Sequence, residues 1–75
     1  MTSDQLRIAL QELNGERDLG VCFADVHADL QSVGPHLIVK RAMLIPDEQD
    51  HLVKVTDGRS VFILDAQRVA WIKIG

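Results

Sequence analysis

The sequence predicts a mainly β domain with one helix at its N-terminal end, an α+β chain of five short antiparallel strands. Three observations predict it. Leu6, Ala9, Leu10 and Leu13 recur at helical spacing behind Thr2 and Ser3. From Gly20 the apolar pattern changes to a period of two. Asp57-Gly58 stands between two apolar runs, as the turn of a hairpin does. With 75 residues the chain is too short to divide into two units that each bury a core, so residues 1–75 read as a single domain.

The helix is expected over residues 3–14. Thr2 or Ser3 caps it, Gln5 stands three residues after Thr2 in capping-box spacing, and Asp4 favours the first turn. Asn14-Gly15 supplies the stop. A first strand is expected over 20–30, with Cys22, Ala24, Val26, Ala28 and Leu30 on the apolar side and Asp25, His27 and Asp29 on the other. A helix through Val26, Leu30 and Val33 competes for this segment, and both readings stay open. Gly34-Pro35 breaks the chain.

Residues 36–45 form the second expected strand. Leu37, Val39, Met43 and Ile45 lie on one face and Ile38, Ala42 and Leu44 on the other, and a strand apolar on both sides has something packed on both. Pro46 ends it before an acidic turn over 47–50. Residues 52–56 and 59–65 are then expected to pair across a two-residue type I′ turn at Asp57-Gly58. A tight turn or one 3₁₀ turn leads to a last strand over 69–74.

Composition removes several functions. A net charge of -3 argues against a wholesale grip on phosphates. Only Phe23, Phe62 and Trp71 are aromatic, which makes a multi-ring stacking platform for bases improbable. One cysteine, Cys22, allows no internal disulfide, and zinc spacing is absent, so no cofactor is implied. The opening MTSDQLRIAL has no basic and apolar tract of a secretory leader, and no apolar run approaches the roughly 20 residues that span a bilayer. The expectation is a cytoplasmic protein without membrane contact.

Candidate chemistry is sparse. Asp25, His27 and Asp29 alternate on one strand face, about 6 to 7 Å apart, and are the weak metal candidates. Cys22 reads as a buried structural residue, since it and His27 fall on opposite strand faces. Neither a Gly-x-Ser-x-Gly elbow nor a glycine-rich loop before a helix is present. Arg41, Lys54, Arg59 and Arg68, with Lys40, are the cations that would contact phosphate or RNA if a fold gathered them.

Helix first, then five short strands with the last two joined by a single turn, resembles the Sm-like (LSm, Hfq-like) class of small SH3-like β-barrels. The likeness is carried by "VTDGRSVFILDAQRVAWIKI", whose closing "RVAWIKI" looks like the strand that completes such a barrel. Where the family carries its two RNA-contacting motifs, this sequence has HLIVKRAMLIPDEQDHL and Asp65-Ala66-Gln67-Arg68, and neither matches the motif it replaces. The resemblance implies a closed five-stranded barrel and ring assembly, the fourth strand of one subunit pairing with the fifth of the next.

An independent argument points the same way. A chain this small hides only about 60% of the surface its unfolded form exposes, and open strand edges need cover. In the last two strands Phe62, Leu64 and Ala66 oppose Val61 and Ile63, while Ala70, Ile72 and Ile74 oppose Val69 and Trp71. The sequence therefore predicts a non-enzymatic scaffold or interaction module that forms a homo-oligomer through edge strands. Its interface would draw on Val61, Phe62, Ile63, Val69, Trp71 and Ile72. A weak RNA-binding ring and a small metal-binding protein are the alternatives.

Overall fold

A computed structural model describes residues 1–24 and 35–75. Helix α1 (Ser3–Leu10) is followed by strands β1 (Leu19–Phe23), β2 (Leu37–Val39), β3 (Met43–Leu44), β4 (Val53–Thr56), β5 (Val61–Leu64) and β6 (Val69–Ile74), with one 3₁₀ turn at Ala66–Arg68. The strands form two antiparallel three-stranded sheets, in the orders β2-β1-β6 and β3-β4-β5. This corrects the closed five-stranded barrel. Among the described residues six strands are present, and no ladder joins one sheet to the other.

The helix starts where its cap residues place it. Thr2 Oγ1 accepts the Gln5 N–H at 3.0 Å and Gln5 Oε1 accepts the Thr2 N–H at 3.0 Å, so two donors of the first turn are satisfied reciprocally. It ends four residues before the expected Asn14. Gln11 donates back to the Ile8 carbonyl and Leu13 to that of Leu10, a tightened last turn before Gly15 at φ +85°. Leu6, Leu10 and Leu13 are buried all the same, so the apolar stripe outlasts the regular helix.

In β1 the inward positions are Leu19 and Val21, both fully buried, and Cys22 lies half-buried opposite Trp71 on the outer face. The expected placing of Cys22 in the core is therefore inverted. Branched aliphatic side chains one residue earlier bury more apolar area than Cys22 and Ala24, and they take the inside. The expected strand over 20–30 is regular from Leu19 to Phe23, and 25–30 lies outside the described residues.

The single strand expected over 36–45 is two. Lys40 and Arg41 make a turn between β2 and β3, with Arg41 at φ +49°. Asp18 holds this turn: its Oδ1 accepts the Arg41 N–H at 3.1 Å and its Oδ2 accepts Lys40 Nζ at 3.0 Å. The break resets the alternation, so Val39 and Ala42 are both buried while Ile38 and Met43 face out. It is here that the chain leaves one sheet for the other.

The β4–β5 hairpin forms between the two expected strands, but with Thr56 opposite Val61 and Val53 opposite Leu64, a register two residues beyond the one a two-residue turn sets. Its connection is four residues, 57–60, in place of a two-residue type I′ turn, and only Gly58 has positive φ, +92°. The Asp57 carboxylate explains the longer form: Oδ1 accepts the Arg59 and Ser60 N–H groups at 2.8 and 2.7 Å. The 3₁₀ option holds between β5 and β6, where Asp65 Oδ1 accepts the Gln67 N–H at 3.1 Å.

β6 spans the expected 69–74 but does not alternate as a regular strand. Phe23 faces Val69 and Cys22 faces Trp71, which leaves Ala70 as the extra residue of a β-bulge. Val69 is buried, Ile72 and Ile74 pack against the core, and Trp71 and Lys73 face outward. The core between the helix and the two sheets is aliphatic: Leu6, Leu10, Leu19, Val21, Val39, Val53 and Val55 fill it.

Candidate functional site

Two open strand edges stand out. β5 pairs only with β4 and β6 only with β1, so each presents an outer backbone edge without a strand partner among the described residues. On β5, Phe62 and Leu64 turn inward while Val61 and Ile63 are 57% and 59% exposed. β4 continues the outward face with Thr56 beside Val61 and Lys54 beside Ile63, and Met43 lies opposite Thr56 on the far side. Of the six expected interface residues, Val61, Ile63 and Trp71 (42% exposed) are on the surface, Phe62 and Ile72 are partly buried, and Val69 belongs to the core.

The expected phosphate contacts do not converge. Lys54 points outward from β4, yet its side chain is only 15% exposed because Glu48 and Asp50 close on it at 2.8 and 2.6 Å. The Asp50 bond holds the Lys54 ammonium above its ordinary value, with Glu48 adding to it, and the same contact holds the Asp50 carboxyl below the usual carboxylate range. Arg59 sits in the loop before β5 and Arg68 in the 3₁₀ turn after it, so they mark opposite ends of that strand. Arg68 Nε lies 3.6 Å from Asp65 Oδ2. Arg41 belongs to the β2–β3 turn.

The acidic segment expected to be a plain turn is instead tied down from two sides. Arg7 on α1 donates to the carbonyls of His51 and Leu52, both at 3.3 Å, and meets Asp47 at 3.3 Å. His51, at φ +56°, also meets Asp47 at 3.2 Å. Lys54 holds the middle of the segment as described above. The Arg7 ties to the His51 and Leu52 carbonyls span 44 and 45 residues of sequence, which is why no local pattern announces them.

The metal candidates Asp25, His27 and Asp29 lie outside the described residues. Among the described residues no group of three or more His, Cys, Asp or Glu side chains is placed to hold a metal ion. His36 is engaged otherwise: its Nδ1 accepts the Phe23 N–H at 3.0 Å and its ring stacks on Phe23 at a centroid distance of 6.3 Å. No described helix is long and apolar enough to cross a membrane.

A different gathering of charge does appear, at one end of the β2-β1-β6 sheet. Lys40 and Lys73 line one groove with Asp18, Arg41 stands in the turn that Asp18 holds and Arg17 precedes Asp18 in the chain, and the Asp18 carbonyl also accepts the Gly75 N–H at 3.1 Å. A shallow groove of about 200 Å³ lies there, lined by Asp18, Gly20, Pro35, Ile38, Lys40, Lys73 and Gly75. The Asp18 carboxyl is held below its usual range, first by the Arg41 N–H and then by Lys40. Comparison of the chain with family models, with curated proteins and with solved structures finds no match.

Proposed function

We propose that the protein is a non-enzymatic interaction module that assembles with copies of itself through the open edges of β5 and β6. The observation that carries this reading is the exposure of Val61 and Ile63, 57% and 59%, on a strand with an open backbone edge. Exposed apolar side chains on an unprotected edge are a template for pairing with another strand. Lys54, beside Ile63, is held and neutralised by Glu48 and Asp50, so it does not guard the edge. Because the two edges belong to different sheets, β5 of one copy on β6 of the next is a head-to-tail contact, which repeats into a closed ring or an open filament.

The RNA-binding alternative draws less support from this geometry. Lys54 is committed to carboxylates, and Arg59 and Arg68 lie at opposite ends of β5.

Sedimentation velocity of the wild type and of Val61→Lys/Ile63→Lys tests the assembly. Both positions point outward, so the double variant should keep its circular dichroism spectrum while its sedimentation coefficient falls to that of one chain. A double variant that sediments as the wild type does would refute pairing through β5.

A further inference from the structure

Half of the chain's eight lysines and arginines collect at one end of a molecule whose net charge is -3. Arg17 precedes β1, Lys40 and Arg41 form the β2–β3 turn, and Lys73 lies near the end of β6. Asp18 organises them. Its two carboxylate oxygens take the Lys40 ammonium and the Arg41 N–H, and the neighbouring Arg17 carbonyl takes the Ala42 N–H at 2.8 Å. Asp18 is thereby spent on Lys40 and on backbone. Among the described residues no ion pair engages the Arg17, Arg41 or Lys73 side chains.

The groove itself has a built floor. A Cβ at Gly20 would lie 3.0 Å from both Cβ and Cγ of Pro35, so glycine there lets Pro35 close down on β1. Pro35 and Ile38 form an apolar wall, and the Lys40 and Lys73 side chains form the other. Lys73 stands across β1 from Ile38, both opposite Gly20 in the sheet.

We propose that this groove binds a compact oligophosphate anion, held by Lys73 and by the Lys40 ammonium protons that Asp18 does not take, in the positive field of Arg17 and Arg41. Phosphate oxygens accept from ammonium and guanidinium donors, and a cleft with low-dielectric walls concentrates that field. A volume of about 200 Å³ suits a few linked phosphate groups and not a folded polymer. Trp71 does not line the groove, so it offers no ring for a base. Lys73 lies on β6, one of the proposed assembly edges, whereas Arg17 and Arg41 lie on neither β5 nor β6, so the Arg41 variant separates anion binding from self-assembly.

The test is calorimetric titration of the intact protein with inorganic tripolyphosphate at low ionic strength, repeated with Lys73→Glu, Arg41→Glu and Arg68→Glu. Arg68 lies at the far end of the β1–β6 ladder, where its carbonyl accepts the Ala24 N–H, so it controls for net charge. The expected result is saturable binding, weakened about tenfold or more by Lys73→Glu and by Arg41→Glu and nearly unchanged by Arg68→Glu. Should a reversal unfold the chain, Lys73→Gln and Arg41→Gln replace it. Three outcomes overturn the proposal: no saturable binding, equal weakening by all three reversals, or tighter binding of a single-stranded oligonucleotide than of tripolyphosphate at equal phosphate concentration.

Discussion

At Asp18 one carboxylate and one carbonyl join three stretches of chain: the entry to β1, the β2–β3 turn and the end of β6. Asp57 and Asp65 do the same job locally, each accepting N–H groups of the turn it begins. The pH dependence follows from the direction of the shifts. Asp18, Asp50 and Asp57 are held below the ordinary 3.8, by the Arg41 N–H, the Lys54 ammonium and the Ser60 N–H respectively as the leading causes. A carboxyl depressed by folding stabilises the fold above its unfolded value and loses that contribution as pH falls through the folded value. Urea midpoints should therefore hold level above pH 4 and decline below 3.8, and the decline should be shallower in Asp18→Asn/Asp57→Asn. Lys54 has the opposite sign: its contribution is complete below 10.5 and is lost as pH rises above that. At the helix start, Thr2→Ala removes the acceptor for the Gln5 N–H and should cost about 1 kcal/mol in a denaturant melt. Leu6→Ala and Leu10→Ala, each fully buried, should cost about 2 to 5 kcal/mol.

Elements whose signals are local were legible in the sequence. The Thr2/Gln5 box placed the start of α1, and the pairing of β4 with β5 followed from the two runs around Asp57-Gly58. The limits of β6 were likewise readable from Val69 to Ile74. Elements shaped by partners far along the chain were not. The turn at Lys40-Arg41 depends on Asp18, more than twenty residues earlier, and without that carboxylate HLIVKRAMLI reads as one strand. The bulge at Ala70 is invisible because alternation assumes one residue per step, whereas β1 here advances one residue while β6 advances two. The gathering of cations was missed for the same reason, since Arg17, Arg41 and Lys73 come to one end of a sheet only after three strands are laid side by side. The bulge yields a sharp prediction. Deleting Ala70 leaves Val69 inward, Trp71 outward and Ile72 inward as a regular strand would have them, so the deletion should fold. Inserting one alanine after Trp71 turns Ile72 and Ile74 outward and should abolish the cooperative melt.

Across the whole molecule, one short helix and two small sheets enclose an aliphatic core with no buried polar or charged residue among those described. Disulfide support is absent, because Cys22 is the only cysteine. Domains of this size draw on further sources of stability, and subunit association is one of them. The outward pair Val61 and Ile63 on an open edge is where the fold leaves that source to be found. The proposed self-assembly would make stability depend on protein concentration, and the melting temperature should then rise as concentration rises. The most direct measurement is the weight-average mass by multi-angle light scattering over a dilution series of the wild type. Assembly predicts a mass that is a multiple of the 8.4 kDa chain and falls toward one chain on dilution. A well-folded particle of one chain mass at every concentration would contradict it.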